Sequence, residues 1–372
     1  MIDTIILLLN KKDFTITKPD EFSPPASWIL NHTMYATHNL KSVQFPNKHD
    51  TLYKPRLTLS NRNNVNGILD TVLKIELSLP KLMFNNNFEE LRYKDFDAVA
   101  VKLHQILSGM GVQTTIEALK KAPVTTVHYA KNILLTDGTT PHYLINKLQK
   151  MCMPQSLDTN QTNFRNGGHA FKWHCNAYEI IFYDKMYDLA QAKKSSKRAI
   201  EKNNDIQLQL FEKLQRKQRR KKFEVFRMEV RLNTRAKMKQ LFKKLNVQAP
   251  LTFQKLFKPA ISRKMLLHYL DELQSHHAPL FELPTSMTDK SLITQIILHN
   301  PDLSTNKIIQ LFGLKRLHET MSIQELQQMF TKHNKRSLQR LLVDARRLAV
   351  PTKEDSLDVI HKQVTKGKTV RL

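Results

Sequence analysis

The sequence predicts an α+β chain: a central antiparallel β-sheet with flanking helices, followed by an all-helical C-terminal region. Three observations carry this reading. Apolar and polar residues alternate with period two over 72–79 and 223–233, the spacing of strands with two distinct faces, and 124–135 reads as a strand between them. A hairpin pattern, HAFKWHC and then YEIIFY around Asn176-Ala177, lies between the last two. From about Leu245, helical spacing and N-cap residues replace the alternation.

In chain order, MIDTIILLL at the start reads as a buried strand, and Lys11 to Asp70 as an irregular β-rich stretch that includes a strand near Leu52–Leu59. In Val72–Leu79 the residues Leu73, Ile75, Leu77 and Leu79 share one face, and Lys74, Glu76 and Ser78 the other. Asp95–Met110 has helical spacing and is ended by Gly109 and Gly111. Val124–Leu135 is a strand with His128, Ala130 and Asn132 on one side, and Pro141–Met151 a helix. Phe223–Asn233 puts Arg227, Glu229 and Arg231 on one face, either a polar site or a row of surface ion pairs. Further on, Ser262–Ser275, Ser291–His299, Ser304–Phe312, Ser322–Phe330 and Ser337–Leu348 read as helices. SIQE at Ser322 is a capping box, and the last of these helices carries Arg340, Arg346 and Arg347. The expected units are 1–245, a helical domain over 246–350 and a flexible polar tail over 351–372.

The charge narrows the partner. Against 33 acids stand 59 lysines and arginines, a net of +26 over 372 residues, which implies a polyanion. From Gln191 to Lys222 the chain carries twelve Lys/Arg and three acids, and Lys213–Lys222 holds seven basic residues in ten. Lys213, Arg216, Lys217, Arg219, Arg220, Lys221 and Lys222 either face phosphates or form a solvated helical face. A membrane partner is not expected, because the apolar run Ile5–Leu9 is far too short to span. Cys152 and Cys175 have no metal-binding spacing and read as free thiols of a reducing cytoplasm. With 8 glycines and no G-x-x-x-x-G-K-S/T, an ATP-driven helicase is not expected.

Tyr183 is the residue the reading turns on. It ends a strand where a helix is expected to begin, so the sheet holds it while its hydroxyl stays exposed. It is either a nucleophile or a half-buried strand-end aromatic. Lys185 is two residues on, and Tyr187 four residues on, expected on the same helical face. His169 and His174 lie five apart and point to opposite faces, which argues against a shared metal. Trp173 and Tyr178 either stack on unpaired bases or pack within the hairpin.

Taken in order, VLKIELSLPKL, VTTVHYAKNI, YEIIFYDKMYDL and FRMEVRLNTRAKM resemble the gene II replication proteins of filamentous phages and their plasmid and prophage relatives. Those are rolling-circle replication initiators, distant members of the HUH endonuclease group. The resemblance spans roughly Met1–Leu245, and the tyrosine segment and the Arg-x-Glu-x-Arg strand are its most specific parts. It implies a Rep-like nicking domain with a basic helical insertion at 185–222, in which Tyr183 cuts the plus-strand origin and keeps the 5′-phosphate. It implies Tyr187 as a second nucleophile or a plain helix-face aromatic, and Lys185, Arg227 and Arg231 as the cations nearest the phosphate. HUH enzymes pair two histidines across one bulky residue; His128-Tyr129-Ala130 lacks the second. The matching ligand positions are Glu76, His128 and Glu229, a set suited to Mg²⁺ or Mn²⁺. Implied partners are origin duplex and single-stranded DNA, with a host helicase and DNA polymerase, in the cytoplasm of a bacterial host.

Overall fold

The computed structural model describes residues 1–29, 35–39, 53–63, 69–136, 138–150, 163–197, 223–276, 278–330, 335–350 and 356–370. Its strands are β1 (Ile2–Asn10), β2 (Phe14–Ile16), β3 (Phe22–Ser23), β4 (Tyr35–His38), β5 (Arg56–Asn63), β6 (Leu69–Ser78), β7 (Val112–Thr114), β8 (Val124–Leu135), β9 (Asn163–Arg165), β10 (Ala170–His174), β11 (Tyr178–Asp184) and β12 (Glu224–Leu232). Helices α1 to α6 span Ala26–Ile29, Leu79–Phe84, Phe96–Gly109, Ile116–Lys121, Pro141–Lys150 and Lys185–Lys197. Beyond β12 every described element is helical. Helices α7 to α14 span Arg235–Lys244, Phe253–Leu256, Pro259–His276, Asp289–His299, Thr305–Thr320, Ile323–Met329, Lys335–Arg347 and Ser356–Lys366.

Ten of the described strands form one sheet in the order β3-β4-β5-β6-β1-β8-β12-β11-β10-β9, and β2 pairs with β7 apart from it. Every neighbouring pair in the large sheet is antiparallel. Directly opposed residues share a face, so the register sorts the side chains. One face carries Leu73, Ile75, Leu77, Ile5, Leu7, Val127, Tyr129, Met228, Val230, Ile180 and Phe182, all buried. Helices α7 and α9 lie against its β8 and β12 strands, and Tyr178 stacks on Tyr269 of α9. This is the apolar face that the alternation predicts. The expected strand over 72–79 stops one residue sooner, because Leu79-Pro80 opens α2.

Helix α3 ends at Gly109, and Gly111 turns the chain with φ +71, a left-handed conformation. A Cβ on Gly111 would come within 2.6 Å of the Lys18 Cβ, so glycine is needed there on two counts.

Two expectations about organisation change. The main core does not stop at Leu245. It takes in Phe253, Leu256, Met265, Tyr269 and Leu273 of α8 and α9, and a second core runs from Ala278 to Leu348. The tail expected to be flexible contains α14, whose Ile360 and Val364 are buried in the main core. It also closes a sheet edge. Beyond Ala130, β8 outruns β1, and its orphan backbone groups find side chains instead. Asn132 N–H donates to Glu90 at 2.6 Å, and the Gln363 amide bonds both the N–H and the carbonyl of Leu134. Lys131 reaches Glu90 at 2.7 Å and the Lys368 carbonyl at 2.5 Å. No described helix is long and apolar enough to cross a membrane.

Candidate active site

The second face of the sheet is polar, and its centre is β12. That strand lies between β8 and β11, so both of its edges are paired, and residues on both of its faces are buried. Reading across the register, Ser78, Thr4, His128, Arg231, Glu179 and His174 form one row. Ala130, Glu229, Ile181 and Lys172 form the next, then Asn132, Arg227, Tyr183 and Ala170. Residues from β8, β12 and β11 thus meet although they lie far apart in sequence.

Glu229 is the hub. Its side chain is 3% exposed, with Arg231 Nε at 2.9 Å, His128 Nδ1 at 3.4 Å and the Tyr183 hydroxyl donating to Oε2 across a long 3.5 Å. Burial pushes this carboxyl up. The hydrogen bond from His128 and the charges of Arg231 and Arg227 outweigh burial and hold it well below the usual carboxylate range. Arg227 is buried as deeply. Nη2 bonds Asp3 at 2.5 Å, and Nη1 bonds Asn132 at 3.1 Å and the Asn87 carbonyl at 3.0 Å. Burial alone would lower the guanidinium. Tyr183, Asp3, Glu229 and Glu90 reverse that and keep it firmly charged. Arg231 is the more open cation, its side chain 35% exposed, and it also reaches Glu179 at 3.4 Å. Lys172 closes the row on Glu179 at 3.5 Å.

Tyr183 is half-buried, the sixth residue of β11, and helix α6 starts two residues later. The strand-to-helix junction falls where the sequence predicts it. Burial raises the phenol well above its usual value; the Arg227 charge opposes this, and Glu229 adds to it. Lys185 is wholly buried, 5.4 Å from the centre of the Tyr183 ring, and bonds Asp188 at 2.9 Å. Burial lowers its ammonium and Asp188 works against that. It is an enclosed partner of Asp188, not a cation open to incoming phosphate.

Two expected placements are corrected. Tyr187 does not share a helical face with Tyr183, because Tyr183 is still in the strand. Tyr187 stacks on the His169 ring instead, at 3.6 Å and 5°. Glu76 faces the same way as His128 but sits one row off and two strands away, about 10 Å across the sheet. It pairs with Lys74 at 3.5 Å. Of the two aromatics left open between base stacking and packing, Trp173 is buried in the hairpin, edge-on to Phe171 and Phe182, and Tyr178 is buried against Tyr269 of α9. His169 bonds Asp184 at 3.3 Å, whereas His174 faces Glu179, so the two histidines stand apart as expected. Cys175 is a free thiol. Cys152 and the basic run Lys213, Arg216, Lys217, Arg219, Arg220, Lys221 and Lys222 lie outside the described residues.

The sequence reading missed Asp3, Asn132, Glu179 and Lys172. Asp3 had a signal, the one acid of a largely apolar first strand. Glu179 and Lys172 had one too, as polar residues alternating through the hairpin. Among the described residues, no three His, Cys, Asp or Glu side chains stand close enough to hold one metal ion. No protein family, curated protein or solved structure matches this chain.

Proposed function

We propose that this chain is a rolling-circle replication initiator of the HUH type, nicking and rejoining the plus-strand origin through Tyr183. The observation that carries the reading is the meeting of Tyr183, Glu229, His128, Arg231 and Arg227 on one face of three adjacent strands. The reaction is a transesterification. Tyr183 Oη attacks the phosphorus of the scissile diester, and the bond to the 3′-oxygen breaks. The 5′-phosphate stays on the tyrosine, and the freed 3′-oxygen takes up a proton to become the hydroxyl that a host polymerase extends. One ester replaces another, so no ATP is consumed, and reversal rejoins the strand. Glu229 accepts the hydrogen bond of the hydroxyl and aims it, and the phenol proton passes to solvent as Oη attacks, because a carboxyl held this far below its usual range is too weak a base to keep it. Arg231, the cation solvent reaches, meets the phosphate first, and Arg227 supplies the fixed charge that opposes the raised phenol. A host helicase would open the duplex ahead of the extended end.

Mg²⁺ or Mn²⁺ enters this reading through the resemblance alone. Of the three implied ligands His128 and Glu229 meet, while Glu76 pairs elsewhere, so the three do not make one donor set. Each step above therefore falls on the protein's own side chains.

A second reading, a non-catalytic DNA-binding replication regulator, is favoured by one observation. Glu229 and Arg231 already satisfy each other, and burial keeps the phenol protonated. One gel separates the two. The chain is incubated with supercoiled DNA carrying the replicon's own origin region, with Mg²⁺ or Mn²⁺, and denatured. A labelled strand retained by wild type and lost with Tyr183→Phe supports the nicking enzyme. DNA binding with no adduct favours the regulator, and an adduct that survives Tyr183→Phe removes Tyr183 from the chemistry.

A further inference from the structure

In the second core, α12 and α13 follow one another in sequence with five residues between them. Ser322 caps α12 in a reciprocal capping box with Glu325, which fixes where that helix begins. Ile323 and Leu326 of α12 and Leu338, Leu342 and Ala345 of α13 are buried in the same core as Leu311 and Leu314 of α11. The three helices are therefore one packed unit, in which α13 shows its other side to solvent.

That outer side is selective. Arg336, Arg340, Val343 and Arg347 are all exposed and recur at spacings of four, three and four, one stripe about 16 Å long. The one acid of α13, Asp344, is turned to Lys307 of α11 at 2.5 Å and does not neutralise the stripe. Among the described residues, no carboxylate pairs with Arg336, Arg340 or Arg347. A helix packed by one face on its neighbours and presenting cations on the other matches the physical form of the second helix of a helix-turn-helix element. There the second helix enters the major groove, and its N-terminal half reads base edges.

We infer that α13 is a duplex-DNA recognition helix. Arg336 and Arg340, in its N-terminal half, reach base edges or flanking phosphates, Val343 meets the groove as an apolar contact, and Arg347 binds the backbone. This goes beyond the nicking chemistry and shares with it only that the partner is DNA. The surface it names is separate from the sheet.

The test is equilibrium binding of the full chain to a fluorescein-labelled duplex about three helical turns long, in EDTA, across a salt series. Because nothing is cleaved, failure of the nicking proposal leaves this result readable. The triple variant Arg336→Gln/Arg340→Gln/Arg347→Gln is expected to bind roughly tenfold or more weakly at moderate salt. Its slope of log affinity against log salt should be shallower by about 2 to 3, near 0.9 per lost phosphate contact. Arg340→Gln alone, expected to shift the slope by about 1, keeps the test readable if the triple variant misfolds. A charge-matched control, Lys121→Gln/Lys255→Gln/Lys258→Gln on the main core, is expected to lose far less. Equal loss in that control makes the effect one of net charge and overturns the inference. So does unchanged binding by the arginine variants. Equal competition by double-stranded RNA, whose deep major groove excludes a helix, overturns it as well.

Discussion

Arginines do opposite work in two parts of this molecule. On β12, Arg227 is buried and held by Asp3, Asn132 and the Asn87 carbonyl. On α13, Arg336, Arg340 and Arg347 stand in solvent with no described carboxylate beside them. The first is a fixed charge inside a closed network, where position is set by partners on two strands and on the segment that follows α2. The other three are exposed charges on one helix, available to whatever anion arrives. Composition alone, with its net of +26, does not separate these roles. Burial does, since a buried guanidinium must be paired while an exposed one need not be.

Substitution breaks the comparison most sharply at Arg227. Arg227→Leu strands Asp3 without its partner and should lower stability by about 3–5 kcal/mol in urea denaturation. Adding Asp3→Asn should recover part of that loss. By contrast, Arg336→Gln or Arg347→Gln should stay within about 0.5 kcal/mol of wild type. Equal effects at the two places would erase the distinction.

Next in size is the tail. Ile360 is buried in the main core, so Ile360→Ala should cost about 2–5 kcal/mol, measured the same way. A change near zero would restore a flexible tail.

These tests also mark what the sequence left hidden. The sequence located β6, β8 and β12 because their residue types sort onto two faces with period two, and the capping box located α12 to the residue. Tyr183, Glu229, Arg227 and Arg231 were legible for the same reason, as polar residues at set steps on strands that pair. Asp3 was not, because its partner is 224 residues away and only the strand order brings them together. Helix α14 was not, because its two core residues, Ile360 and Val364, sit in a stretch that reads as polar overall. Glu76 was misplaced because face and parity can be read from one strand, whereas lateral distance across the sheet cannot.

The pH response sharpens the contrast further. Glu229 has its folded value held below its unfolded one, near 4.3. Its contribution to stability is therefore full above that value and is lost as pH falls below it. Thermal melts should show an acid limb below about pH 4.5 that flattens in Glu229→Gln. A limb unchanged in the variant would assign the acid sensitivity elsewhere. Rates of adduct formation should climb with pH through the alkaline range, because the Tyr183 phenol is raised. A plateau already reached in mild acid would contradict that.

The smallest expected effect is at Glu76. Paired with Lys74 and two strands from His128, it should tolerate Glu76→Gln with no change in the metal dependence of adduct formation. A clear loss of metal response would bring Glu76 back to the site.

The most direct measurement is the mass of the DNA-linked peptide. The chain is allowed to react with origin DNA, and protein and DNA are then digested to small fragments. A nucleotide 5′-phosphate is expected on Tyr183 and on no other residue. A nucleotide found on Tyr187, on another side chain, or on none would contradict it.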